Sequence, residues 1–200
     1  MRATTFARFA GFTALLAAFS APAQEAGTPD ALVKSLVTEV IEVIGQTKDP
    51  KALQELAEKK VLAHFDFKRM TQLAVGRNWA QASASQQEAL ERGFRTLLVR
   101  TYTSALAQTS GKTKVEVKPG PKPGGDETLV RTAVHEPGRQ PFSIDYRMAK
   151  AAGGWKVYDV VVENLSLVTN YRGSFQSEIA RSGIDGLIKT IEAKNRKQEG

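Results

Sequence analysis

The sequence contains no cysteine and only two histidines, His64 and His135, in 200 residues. Without cysteine there is neither a disulfide nor a thiolate metal site, so the fold must be held by packing alone. Two histidines cannot build a histidine-rich metal centre, and a serine triad would have to recruit one of them together with an acid from a distant segment. No HExxH, GxSxG, P-loop or GxGxxG occurs anywhere in the chain. Nor is there an apolar run long enough to cross a bilayer as a helix, which takes about 20 residues. The formal charge of +7 comes from lysines and arginines interleaved with acids, without the basic and aromatic clustering that nucleic-acid binding uses. These absences exclude a disulfide-stapled domain, the common hydrolase and nucleotide-binding motifs, and a nucleic-acid partner.

What is present begins with an export signal. Arg2 and Arg8 give a positive start, Phe9 to Phe19 an apolar run, and Ala21-Pro22-Ala23 a small-x-small cleavage site. Residues 1–23 are therefore expected to be removed before Gln24. This leaves residues 24–195 as a single domain and 196–200 as a flexible charged tail.

Thr28-Pro29 and Asp49-Pro50 are both helix starts, a capping side chain followed by a proline whose missing N–H is not needed in the first turn. Leu32, Val33, Leu36, Val37, Val40, Ile41 and Ile44 recur at helical spacing behind the first, with Gly45 as its stop. Leu53, Leu56, Val61 and Phe65 follow the second. Ser83 with Gln86, or Ser85 with Glu88, has capping-box spacing before the long stripe Leu90 to Leu106, which Gly93 interrupts. From Thr113 the period becomes two. Four strands are expected, around Val115–Val117, over Glu127–His135, Phe142–Met148 and Trp155–Glu163, joined by short turns into an antiparallel meander. Helical spacing returns from Leu167, with a stop at Gly183 and a second helical run from Ile184. The pattern is α+β, with helices packed on one face of a curved sheet.

Catalytic chemistry has few candidates here. Asp66, Asp145 and Asp159 stand among apolar residues that could raise a carboxyl pKa, as in small α+β isomerases and dehydratases acting on an apolar substrate. The structural alternative is that Asp66 caps the helix starting at Phe67, and that Asp145 and Asp159 face solvent or pair with Arg147 and Lys156. In Trp155–Val162 both alternating sets are largely apolar, which suits a strand covered on both sides, by helices alone or by helices and a cavity.

Two blocks carry a family resemblance. The first runs Phe67-Lys68-Arg69-Met70 through Val75-Gly76-Arg77-Asn78-Trp79, then Ala82-Ser83 and Gln86, into Phe94 and Leu97-Leu98-Val99-Arg100-Thr101-Tyr102. The second is Trp155-Lys156-Val157-Tyr158-Asp159-Val160, Leu165-Ser166-Leu167-Val168, Tyr171-Arg172, Phe175 and Gly183-Ile184-Asp185-Gly186-Leu187-Ile188. The chain resembles the MlaC family of periplasmic phospholipid-binding proteins, also known as toluene-tolerance auxiliary components of a phospholipid ABC transport system. Ala84-Ser85 and Gly93 depart from the family pattern.

The resemblance implies a curved four-stranded antiparallel sheet, related to the cystatin-like cone, covered by N- and C-terminal helices around an apolar lipid cavity. It implies a monomeric, non-enzymatic periplasmic carrier without a cofactor, whose cargo is phospholipid. Its partners would be the MCE-domain protein of an inner-membrane ABC transporter and an outer-membrane lipoprotein and porin complex, and its role the maintenance of outer-membrane lipid asymmetry.

Strand alternation and helix faces then nominate the cavity wall. From the helical half come Met70, Leu73, Val75, Trp79, Phe94, Leu98 and Tyr102. From the strands come Val130, Val134, Phe142, Ile144, Tyr146, Met148, Val157 and Val161, followed by Leu165 and Val168. Arg77, Arg147, Lys156 and Arg172 are the candidates to meet a lipid headgroup.

Overall fold

The computed structural model describes residues 27–107, 112–120 and 124–197; the expected signal segment lies outside them. Helix α1 spans Pro29–Gln46, and the Thr28 side chain caps it by accepting from Ala31 N–H at 3.2 Å. It continues through Gly45, the expected stop, and ends one residue later, at an extended Thr47. Helix α2 spans Pro50–Leu56, and Asp49 caps it as the sequence suggests. A widened π turn (Ala57–Val61) and a 3-10 turn (Leu62–His64) then carry the chain to the sheet.

Asp66 opens helix α3 (Phe67–Val75) by accepting from Arg69 N–H at 2.9 Å, while its own N–H donates to Val157 O at 2.8 Å. Gly76, at φ 63°, closes α3 in a conformation that side-chain-bearing residues resist. After a 3-10 segment, helix α4 (Ala84–Ala107) starts at a reciprocal capping box. Gln86 N–H donates to Ser83 Oγ at 3.2 Å, and Ser83 N–H donates to Gln86 Oε1 at 2.9 Å.

The sheet is an antiparallel meander of β1 (Lys114–Val117), β2 (Glu127–His135), β3 (Phe142–Ala151), β4 (Gly154–Val162) and β5 (Leu165–Ser166), in that spatial order. Among the described residues it therefore has five strands, not four. Glu163 and Asn164, at φ 49° and 65°, make a two-residue reversal that lays Leu165 and Ser166 back against Val161 and Val162. Helix α5 (Leu167–Lys197) follows directly, bent at Gly183 (φ 71°, ψ −174°), a conformation open in practice only to glycine.

Two cores result. One lies between α3, α4 and α5 around Met70, Leu90, Phe94, Phe175, Leu187 and Ile191, and Phe94 meets the rings of Tyr171 and Phe175 edge-on at 5.0 and 5.1 Å. The other joins α1 to the sheet through Val33, Val130, Met148 and Val157. Each such side chain contributes about 1.5–3 kcal/mol by leaving water.

One irregularity in the sheet has large consequences. Arg147 pairs with Asp159, but Met148 pairs with Val157, so Tyr158 is an extra residue bulged out of β4. Across it the alternation changes phase. Val157 shares a sheet face with Met148, whereas Val160 and Val162, not Val161, share it with Tyr146 and Ile144.

Candidate functional site

That sheet face, opposed by helices, encloses two apolar hollows. The smaller, about 250 Å³, lies between α1 and the sheet. Val33, Leu36, Val37, Val40, Ile41 and Ile44 supply its helical wall, and Thr113, Val115, Val134, Phe142 and Val157 its sheet wall. The larger, about 390 Å³, lies between the sheet and the segment from α2 to α4. Its sheet wall is Val160 and Val162, and its far wall includes Met70, Leu98, Val99 and Tyr102, with Leu167 at the start of α5. Val61, Phe65, Ile144 and Tyr146 line both hollows, which are thus two lobes on either side of one partition.

Local structure explains the partition. The π and 3-10 turns after α2 bring Val61 and Phe65 onto the sheet, where Phe65 pairs in a parallel bridge with Val157. Ile144 and Tyr146 project from the same face of β3 beneath them. Among the described residues, no lysine, arginine, aspartate or glutamate lines either lobe. A charged group brought there would lose its hydration without a partner, so the lobes suit hydrocarbon.

The polar groups in the walls are hydroxyls. Thr103 donates to Val99 O at 2.8 Å, and the buried Thr113 hydroxyl has no partner among the described residues. Burial, with Tyr171 beside it, pushes the Tyr102 phenol up to about 12. Burial raises Tyr146 further, and the neighbouring Asp145 charge adds to the effect. Both phenols therefore stay protonated at any physiological pH.

Of the expected wall residues, Met70, Leu98 and Tyr102 line the larger lobe, Val134, Phe142 and Val157 the smaller, and Ile144 and Tyr146 both. The others lie elsewhere. Val75, Phe94 and Val168 are buried in the core between the helices, with Trp79 packed against it. Val130 and Met148 belong to the core joining α1 to the sheet. Val161 faces away because of the bulge at Tyr158. Leu73 is 38% exposed on α3, and Leu165 is 72% exposed beyond the tight turn.

None of the four basic candidates lines a lobe. Arg147 Nη1 is 3.5 Å from Asp159 Oδ2 on the opposite sheet face, and Lys156 donates to Ala63 O. Arg172 lies beside Gly76. Arg77 borders a hollow of about 750 Å³ that is larger than either lobe but is a polar surface groove, shared with Asn78, Gln81, Gln176 and Ser177.

The three aspartates of the catalytic alternative have structural partners. Asp66 caps α3, and Asp145 accepts weakly from Thr132 N–H at 3.4 Å. Asp159, buried, accepts from Ser166 Oγ at 2.6 Å and from Val168 N–H at 3.2 Å, which ties β4 to the start of α5. His135 lies 3.7 Å from Glu116 at the sheet edge.

The largest omission from the sequence reading is α1. Its apolar stripe was legible as a helix face, and its unusual width, with Val37, Val40 and Ile41 only half-buried, is the signal that it lines a space instead of filling one. Val61, Phe65, Val160 and Val162 were missed because a π turn and a bulge place them.

The chain is 24% identical over 150 residues to the intermembrane phospholipid transport system binding protein MlaC of Haemophilus influenzae, a match covering 72% of this chain and 69% of that one. It is 23% identical over 188 residues to the toluene tolerance protein ttg2D of Pseudomonas putida, covering 91% and 86%. Among solved structures, a phospholipid-binding protein from Ralstonia solanacearum, in complex with a phospholipid, superposes with a TM-score of 0.80. That match has 33% sequence identity and covers 86% of this chain and 99% of the other. The family model described as MlaC protein matches residues 34–193, nearly the whole of the helices and sheet that enclose the two lobes. The helix-covered antiparallel meander is thus a fold shared with that structure, and the chain belongs to the MlaC family.

Proposed function

We propose that this protein is a phospholipid carrier that holds acyl chains in the two apolar lobes and ferries its cargo through the periplasm. The observation that carries this reading is the partitioned cavity without a charged group among its described lining residues. The Ralstonia relative, which binds a phospholipid, supports it. An acyl chain of about 16 carbons moving through water exposes on the order of 12 kcal/mol of apolar surface, at roughly 0.8 kcal/mol per methylene. Free transit between two membranes is closed at that cost, and a carrier solves it by offering a dry space of comparable affinity. No described helix is long and apolar enough to cross a membrane, which is compatible with a chain that leaves one bilayer for another.

In this reading residues 1–23 direct export and are removed before Gln24. An inner-membrane ABC transporter with its MCE-domain protein and an outer-membrane lipoprotein complex exchange lipid with the carrier, which thereby helps maintain outer-membrane asymmetry. The headgroup stays outside the lobes, where no cation among the described lining residues opposes its release.

Native mass spectrometry of protein purified from the periplasm tests the proposal. The expected result is added mass matching phospholipid, extractable into organic solvent. A folded protein that never carries lipid out of the cell would overturn it.

A further inference from the structure

The side chains lining the two lobes include two phenols whose hydroxyls make no hydrogen bond within the described residues, Tyr102 and Tyr146. Both residues are half-buried, and a tyrosine hydroxyl in an apolar surround ordinarily finds a partner, because leaving the bond unmade forfeits part of the hydration of the group. Both phenols line the larger lobe. Tyr102 comes from α4 and Tyr146 from β3 on the opposite wall, where it also borders the smaller lobe. Thr103 beside them is already spent on the backbone of Val99, and Thr113, although unpartnered, is sealed within the wall. The phenols are therefore the free donors of an otherwise hydrocarbon-like space, and their raised ionisation keeps each one a donor.

A donor pair of this kind needs an acceptor on the cargo. Methylene chains have none. A phosphate is an acceptor, but its charge would enter a space without a single cation among the described lining residues, at a desolvation cost that two neutral hydroxyls do not repay. A neutral acceptor attached directly to the hydrocarbon fits both conditions, and in a diacyl lipid that is the ester carbonyl at the head of each chain.

We infer that Tyr102 and Tyr146 donate hydrogen bonds to the ester carbonyls of a diacyl lipid, so that the site selects ester-linked over ether-linked cargo. The inference rests on the phospholipid-carrier reading and adds to it a chemical reason for choosing among lipids. Tyr146, on the partition, holds the point where two chains diverge into separate lobes, and Tyr102 meets the chain of the larger lobe.

The test is a competition. Delipidated full-length mature protein is loaded from vesicles holding equal amounts of diester phosphatidylethanolamine and its diether analogue with the same chain lengths, and the bound species are counted by native mass spectrometry. The wild type should favour the diester by about fivefold to a hundredfold, as two neutral hydrogen bonds would give. Tyr102→Phe and Tyr146→Phe, which keep the rings and the cavity shape, should each lower that ratio, and the double variant should bring it to about one. An equal ratio in the wild type, or an unchanged preference in the double variant with a native melting profile, would overturn the assignment. If neither lipid loads into the wild type, the carrier reading falls, and this inference with it.

Discussion

The backbone of Gly93 in α4 lies directly against Ile191 in α5, so that a β-carbon at this glycine would stand 2.9 Å from Ile191 Cγ2. The glycine that interrupts the apolar stripe of α4 is a contact point between two helices. Asn195 fastens the same crossing by donating to Gly93 O at 3.0 Å.

Gly93→Ala should therefore lower stability although alanine is the better helix former. The gain of about 1 kcal/mol in propensity is set against about 2 kcal/mol for overfilling a packed contact, since Ile191 is 2% exposed and its branched Cγ2 has nowhere to go. Urea unfolding should show a net loss of about 1 kcal/mol, and the loss should be non-additive with Ile191→Ala, which opens the space the new methyl needs.

Asp159 and Arg147 form a pair of unequal weight. Asp159→Ala strands the Ser166 hydroxyl and the Val168 N–H in a buried site, and should cost about 3 kcal/mol. Arg147→Ala removes only a half-exposed partner and should cost less than about 1 kcal/mol. Equal losses in denaturant titrations of the two variants would refute this division.

All four tyrosines of the sequence are held above the usual phenol range, chiefly by burial, with Glu127 contributing at Tyr158. Raised folded-state values mean that stability is intact below the unfolded phenol pKa of about 10 and is lost as pH rises beyond it, because the unfolded chain releases protons the native protein retains. An alkaline titration followed by phenolate absorbance should show little ionisation near pH 10 in the native protein. A late rise should then coincide with loss of the circular dichroism signal. Tyr146→Phe should flatten the fall in stability above pH 10.

Filling the larger lobe should displace cargo. Val160→Phe places a ring in the space bounded by Met70, Leu98 and Tyr102, and should reduce the phospholipid carried by about tenfold, as overpacking of about 1–3 kcal/mol implies. Leu165→Ser, on an exposed turn-flanking residue, should leave the load unchanged. Lipid extracted per mole of purified protein measures both.

Local chemistry made much of the fold legible. Thr28, Asp49, Asp66 and Ser83 with Gln86 all cap helices where the sequence places them, because a cap is a contact between residues two or three apart. The change of period at Thr113 and the short turns after it likewise dictated an antiparallel meander, and the paired apolar blocks led to the family. Which side chains face the cavity was a different matter. Strand alternation nominated Val161, yet the single extra residue at Tyr158 reverses the phase of β4 and puts Val160 and Val162 there instead. Both sets in that strand are apolar, so nothing in the residues betrayed the slip. In the same way, the stripe on α1 declared a buried face but not whether the facing space was filled. Which faces are apolar depends on the residues themselves, and the sequence by itself determined it. Whether a buried apolar face meets side chains or a cavity depends on how far apart distant elements are held, and only the tertiary structure, through the Phe65 bridge to Val157 and the partition at Tyr146, decided that.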